Sequence, residues 1–133
     1  MPVEFPSIRE LRYICIPHSE QRYVTVGDYW YPTEHTQEVR VSRMDNADYE
    51  FLVMLHELIE AHLCRKRGIK EEAITAFDTA FEAVREEGNE DEPGDSSEAP
   101  YQKEHQFATS IERQLAVELG VDWDAYDKAI YAL

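Results

Sequence analysis

Apolar and polar positions alternate over the first third of the chain and recur every three to four residues over the rest. The segments LRYICI (11–16) and QRYVTVGDYWY (21–31) are rich in β-branched and aromatic residues, and EVRVSR (38–43) alternates strictly. Pro17, Gly27, Asp28 and Pro32 punctuate them. The connections are short, so the pattern predicts a small antiparallel sheet of two or three strands. Asp45 or Asn46 can cap a helix that runs to about Arg67, with Arg65, Lys66 and Arg67 in its last turn and Gly68 beyond it. A second helix is expected over about 70–87, with Ala73, Ile74, Phe77, Ala80, Phe81 and Val84 as its apolar stripe. A third is expected over about 101–119, with Phe107, Ala108, Ile111, Leu115 and Leu119 inward and a stop at Gly120. A fourth, over about 122–132, starts at Asp122 and buries Trp123, Tyr126 and Ile130. The predicted class is α+β: an N-terminal sheet followed by three or four helices.

Length and charge narrow the picture. The 133 residues suit one domain spanning 1–133. A net charge of −15 argues against nucleic-acid and anionic-membrane partners, since binding phosphates needs clustered cations. The acidity peaks in EEGNEDEPGDSSE (86–98), where Gly, Pro and Ser accompany the carboxylates, and a mobile, solvated loop is expected over 88–100. No apolar run approaches the roughly 20 residues of a membrane span. The start, MPVEFPSIRE, lacks the basic and apolar stretches of a signal peptide. Cys15 and Cys64 are too few for a disulfide scaffold, so a cytoplasmic location is expected.

The first helix departs from simple amphipathicity. Phe51, Leu52, Leu55, Leu58, Ile59 and Leu63 form a broad apolar arc, while Val53 and Tyr49 point elsewhere, near His56 and Glu60. A helix buried on more than one side that carries ionisable residues is where chemistry should be sought. His56 and Glu60 are four apart and project from one face, close enough to reach one metal ion. Glu57 lies about 60° around the helix from Glu60, placed to hold a polarised water rather than to ligate. Glu57 and Glu60 form a like-charge pair with no Lys or Arg three or four residues onward, which a bound divalent ion would explain. A plain hydrogen-bonded His56–Glu60 pair near the surface is the alternative. His62 lies off this face and stays outside the site.

His56-Glu57-Leu58-Ile59-Glu60 resembles the metal-binding helix of the zincin metallopeptidases, whose pattern is His-Glu-x-x-His. The resemblance implies a zinc ligand at His56 and a general base at Glu57, within a zincin-like arrangement of sheet and helices. Glu60 stands where that family has its second histidine. The resemblance covers this helix and the coarse order of elements. More loosely, the whole chain is similar to small uncharacterised phage and prophage proteins.

His105, at the start of the third helix, is available as a third ligand, on the flank of the stripe where Glu112 also lies. His56, Glu60 and His105 would make the two-histidine, one-carboxylate set of several catalytic zinc sites, with one position left for water. Glu104 is the substitute for His105. Asp78 is read as a partner for a ligating imidazole or as a ligand itself, and Tyr49 as a hydrogen-bond donor to the site. The reading is a Zn²⁺-dependent hydrolase acting on a peptide or protein. One alternative places Mg²⁺ or Mn²⁺ between Glu57, Glu60, Asp78 and Glu82, with a faint resemblance to the helical nucleotide pyrophosphohydrolases of the MazG type. The other is a non-enzymatic acidic interaction protein.

Overall fold

The computed structural model describes residues 4–133. The N-terminal reading lies outside the described residues where it touches positions 1–3. Strands β1 (Glu10–Ile16), β2 (Gly27–Thr33) and β3 (Thr36–Ser42) form one sheet, and helices α1 (Ala47–Lys66), α2 (Glu71–Ala83), α3 (Gln102–Leu119) and α4 (Trp123–Tyr131) follow. This is the α+β order expected.

The sheet is mixed, where an antiparallel one was expected. Its order is β1-β3-β2. β2 runs antiparallel to β3, with Gly27 opposite Val41 and Tyr29 opposite Val39. β1 runs parallel to β3, with Tyr13 opposite Val39. The cause lies in residues 17–26. Their last part, read as the start of a strand at 21, instead belongs to a connection that follows a short 3-10 segment, His18–Glu20, and crosses the end of β3. Ser42 anchors it: its backbone N–H donates to Val26 O at 2.8 Å, its hydroxyl lies 2.8 Å from His18 Nδ1, and Gln21 Nε2 donates to Ser42 Oγ at 3.1 Å. A parallel pair needs a long crossover. Here β2 itself forms part of it.

α1 begins as its sequence dictates. Asn46 Oδ1 accepts from Tyr49 N at 3.0 Å, and Glu50 reaches back to accept from Met44 N at 2.8 Å. The helix packs on β2 and β3 with one side and on α3 with another. Leu52 and Ala61 are fully buried against this sheet-facing core, as are Val39 and Val41. Each large aliphatic side chain so placed contributes about 1.5–3 kcal/mol. The double burial carries His56 and Glu60 inside with them.

The inner faces of α2 and α3 are shifted from the expected stripes, while α4 turns Trp123, Tyr126 and Ile130 inward as expected. On α3 the buried line is Glu104, His105, Ala108, Glu112 and Ala116, while Phe107 is 51% exposed. Small Ala108 and Ala116 let α3 come close to α1, and ionisable residues fill the turns between them. On α2, Ile74 and Asp78 are buried and Val84 is exposed. α2 also stops at Ala83, short of the expected 87. α4 is capped by Asp122, whose side chain accepts from Ala125 N at 3.0 Å, and it buries Tyr126.

The acidic stretch, expected as a mobile, solvated loop, has no helix or strand beyond a 3-10 turn and makes several contacts. Arg85 donates to the backbone oxygens of Asn89 and Asp91, and Gln102 Nε2 donates to Asp95 O at 3.0 Å. Pro93–Asp95 forms a 3-10 turn with Gly94 buried. The segment lies as a strap across the start of α3. No helix among the described residues is long and apolar enough to cross a membrane.

Candidate metal centre

α1 and α3 bring three ligand atoms together. His56 Nε2 lies 3.1 Å from Glu60 Oε2 and 3.1 Å from His105 Nδ1, and His105 Nδ1 lies 3.0 Å from Glu60 Oε2. All three residues are buried. Tetrahedral zinc with bonds of about 2.0–2.1 Å separates its ligand atoms by roughly 3.3 Å. A small outward adjustment of this triangle therefore accommodates the ion. The donor set, two imidazoles and one carboxylate, also suits zinc chemistry.

The outer nitrogens of the two rings differ. His56 Nδ1 donates to Glu112 Oε1 at 2.7 Å, and Tyr126 donates its hydroxyl to Glu112 Oε2 at 2.6 Å. That chain fixes the ring so that, when neutral, its lone pair on Nε2 faces the triangle. His105 Nε2 has Glu92 Oε2 at 2.9 Å and Asp95 Oδ1 at 3.6 Å. Asp95 is beyond hydrogen-bond reach, Glu92 makes no well-directed hydrogen bond, and Nε2 is buried without a hydrogen-bond partner.

Glu57 sits beside the triangle against β2. A Cβ on Gly27 would come within 2.8 Å of both Glu57 Cγ and Glu57 Oε1, so only glycine leaves room for this side chain. Glu57, His56, Glu60 and His105 line one cavity of about 450 Å³ that also reaches β2 and α2.

The charges are interdependent. Burial raises the Glu57 carboxyl well above the usual range, and neighbouring Glu60 adds to this. Burial also pushes Glu60 upward, but hydrogen bonds from His105 and His56 outweigh it and hold the group down at about 2. Burial opposes protonation of His105, yet Glu60 and Glu92 bring it up to about 10. His56 is likewise raised well above its ordinary value, because Glu112 and Glu60 overcome burial. The cluster thus attracts positive charge, which two imidazole protons or one divalent cation can supply.

The remaining candidates lie elsewhere. Asp78 accepts hydrogen bonds from Tyr101 and, at 3.2 Å, from Tyr23, so a ring nitrogen is not its partner; burial brings its carboxyl up to about 7. Glu112 fills the orienting role assigned to Asp78. Glu104 turns to Arg67, 2.6 Å away, and ties α3 to the end of α1. Tyr49 packs its ring on Tyr126 at 5.2 Å, and it is Tyr126 that donates into the network. Glu82 is held by Arg85 in two contacts of 2.8 Å, so neither it nor Asp78 joins Glu57 and Glu60. His62 is exposed and stacks edge-on with Phe5.

Sequence reasoning noted Glu112 only as a neighbour and passed over the orienting roles of Tyr126 and Glu92. Glu112 follows His105 by two helical turns and shares its face, which is a usable signal. Glu92 gives none, since it stands in a run of acids. Comparison of the chain with protein-family models, curated proteins and solved structures finds no match.

Proposed function

We propose that this chain is a zinc-binding, zincin-like hydrolase that cleaves peptide bonds, with His56, Glu60 and His105 as ligands and Glu57 as general base. The observation that carries this reading is the buried triangle of ligand atoms at 3.0–3.1 Å, with His56 held from behind by Glu112. Bound zinc would supply a polarised water and a Lewis acid for a carbonyl oxygen. Glu57 has no hydrogen-bonding partner among the described contacts and lines the same cavity. Its raised affinity for a proton suits a group that takes one from water and returns it to a leaving amine.

The neighbouring strand suits an extended substrate. β2 is an edge strand. Because Ser42 N bonds Val26 O, the alternation of the ladder turns the backbone of Gly27 and Tyr29 toward the open edge. Both residues line the cavity; Gly27 O accepts from Thr25 Oγ1 at 2.6 Å, so a peptide would pair with the backbone of Tyr29. The alternative Mg²⁺ reading would need Asp78 and Glu82, which are engaged with tyrosines and Arg85. A cytoplasmic setting belongs to the same proposal, supported by the free Cys15 and Cys64.

Elemental analysis of protein purified without a metal-affinity tag tests the reading. One tightly held zinc per chain is expected to survive purification, and His56→Ala should lose that tightly held ion. Glu57→Gln should keep that zinc and lose cleavage of a mixed peptide library. Metal-free wild-type protein would overturn the assignment.

A further inference from the structure

The outer nitrogen of His105 is not accounted for by the triangle. It is buried and lacks a directed hydrogen bond, although two carboxylates stand near it. A single acceptor placed to hold the ring would sit on the N–H axis. Here Glu92, 2.9 Å away, makes no well-directed hydrogen bond, and Asp95, 3.6 Å away, stands just beyond hydrogen-bond reach.

The strap is built to put them there. Glu92 immediately precedes the 3-10 turn Pro93–Asp95, and residues three apart on such a turn share a side. Gly94 lies flat on the imidazole: a Cβ there would be 2.3 Å from His105 Cγ and 2.5 Å from Nδ1. Without that glycine the strap could not come close enough to offer both acids to one nitrogen. The side chains of Glu92 and Asp95 are 38% and 53% exposed, so both acids could be hydrated by turning outward. Their convergence on a buried nitrogen is therefore a feature to be explained.

We propose that Glu92, Asp95 and His105 Nε2 form a second divalent-cation site, separate from the triangle and open to solvent. The ligand atoms of these three residues lie within 4.8 Å of one another. A cation between them engages both carboxylates and the ring lone pair together, which a single hydrogen bond cannot do. One imidazole with two carboxylates fits zinc or manganese, with water completing the shell. When both sites are filled, His105 bridges them through its two nitrogens and its Nε2 proton passes to solvent. The inference shares His105 with the proposed catalytic site but can fail separately from it.

Zinc titration of the full chain, with bound metal counted by elemental analysis after gel filtration, tests this. Wild type should bind two zinc ions, the second more weakly. Asp95→Asn, a change at an exposed position, should weaken the second binding at least about tenfold, and Glu92→Gln with Asp95→Asn should leave one ion. His56→Ala should also leave one, held by the strap. A wild-type stoichiometry of one that the double variant retains would overturn the second site and leave the triangle standing. One ion kept by His56→Ala and lost in the double variant would support the second site and overturn the triangle. Two ions in the double variant, or none in wild type, would overturn the second site.

Discussion

Glu112 Oε1 lies 2.7 Å from His56 Nδ1 across 56 positions of sequence, and the contact fixes which nitrogen of His56 faces Glu60 and His105. Glu112→Gln keeps the shape but replaces a charged acceptor with an amide that can turn either way. Zinc affinity is expected to fall about 10- to 100-fold, with the circular dichroism spectrum unchanged. Tyr126→Phe, which removes the hydroxyl behind Glu112, should produce a smaller loss in the same competition assay against a chelating dye.

Gly27→Ala addresses the base without touching a ligand. The added methyl group competes for the space of Glu57 Cγ and Oε1. Glu57 must swing away from β2, so kcat on a peptide substrate should drop by about an order of magnitude or more, while zinc content stays at the wild-type level. An unchanged kcat would show that the position of Glu57 does not matter to turnover.

The buried ring of His105 sets a pH dependence for chelator-treated protein. Its folded-state value of about 10 stands above the ordinary 6.5, so protonation favours the fold. That contribution is complete below pH 6.5 and disappears as the pH climbs toward 10. Glu60, at about 2 against an ordinary 4.5, behaves oppositely: its contribution holds above 4.5 and is lost as the pH falls toward 2. Urea midpoints of chelated protein should therefore decline between pH 6.5 and about 9. Zinc affinity should rise over the same interval, by about tenfold per pH unit for each proton displaced.

Glu104→Gln separates structure from ligation. Glu104 is buried and paired with a partly exposed Arg67, away from the triangle. Stability should fall by about 1 kcal/mol in a denaturant titration, with zinc binding unaltered. A loss of zinc would return Glu104 to the list of ligand candidates.

The parts legible from sequence are those governed by local rules. Asn46 before α1 and Asp122 before α4 announce their helices because a capping side chain acts within three residues. His56, Glu57 and Glu60 are readable as a constellation because helical geometry alone determines their relative directions. His105 emerges from its place at the start of a helix whose other face had to pack.

Long-range choices are less legible. Nothing between Ile16 and Gly27 states that the chain will pass the end of β3, since that route is secured by Ser42, a residue on the strand being crossed. The stripe on α3 is misplaced for another reason. Hydropathy assumes that buried positions are apolar, and on this helix Glu104, His105 and Glu112 take them while Phe107 is left partly in solvent. Glu92 is hidden by its surroundings: in a run of acids, the one beside a buried imidazole looks like the rest.

Glu60 and His105 stand 45 positions apart, with all of α2 and the strap between them. A cation coordinated by both closes this stretch into a ring in the folded chain, so opening the ring costs the ion's binding energy. Taking the ion away would leave α1 on its sheet but release the ends of that ring. Proteolytic nicking should then begin between residues 84 and 101, making susceptibility to a protease a direct gauge of metal occupancy.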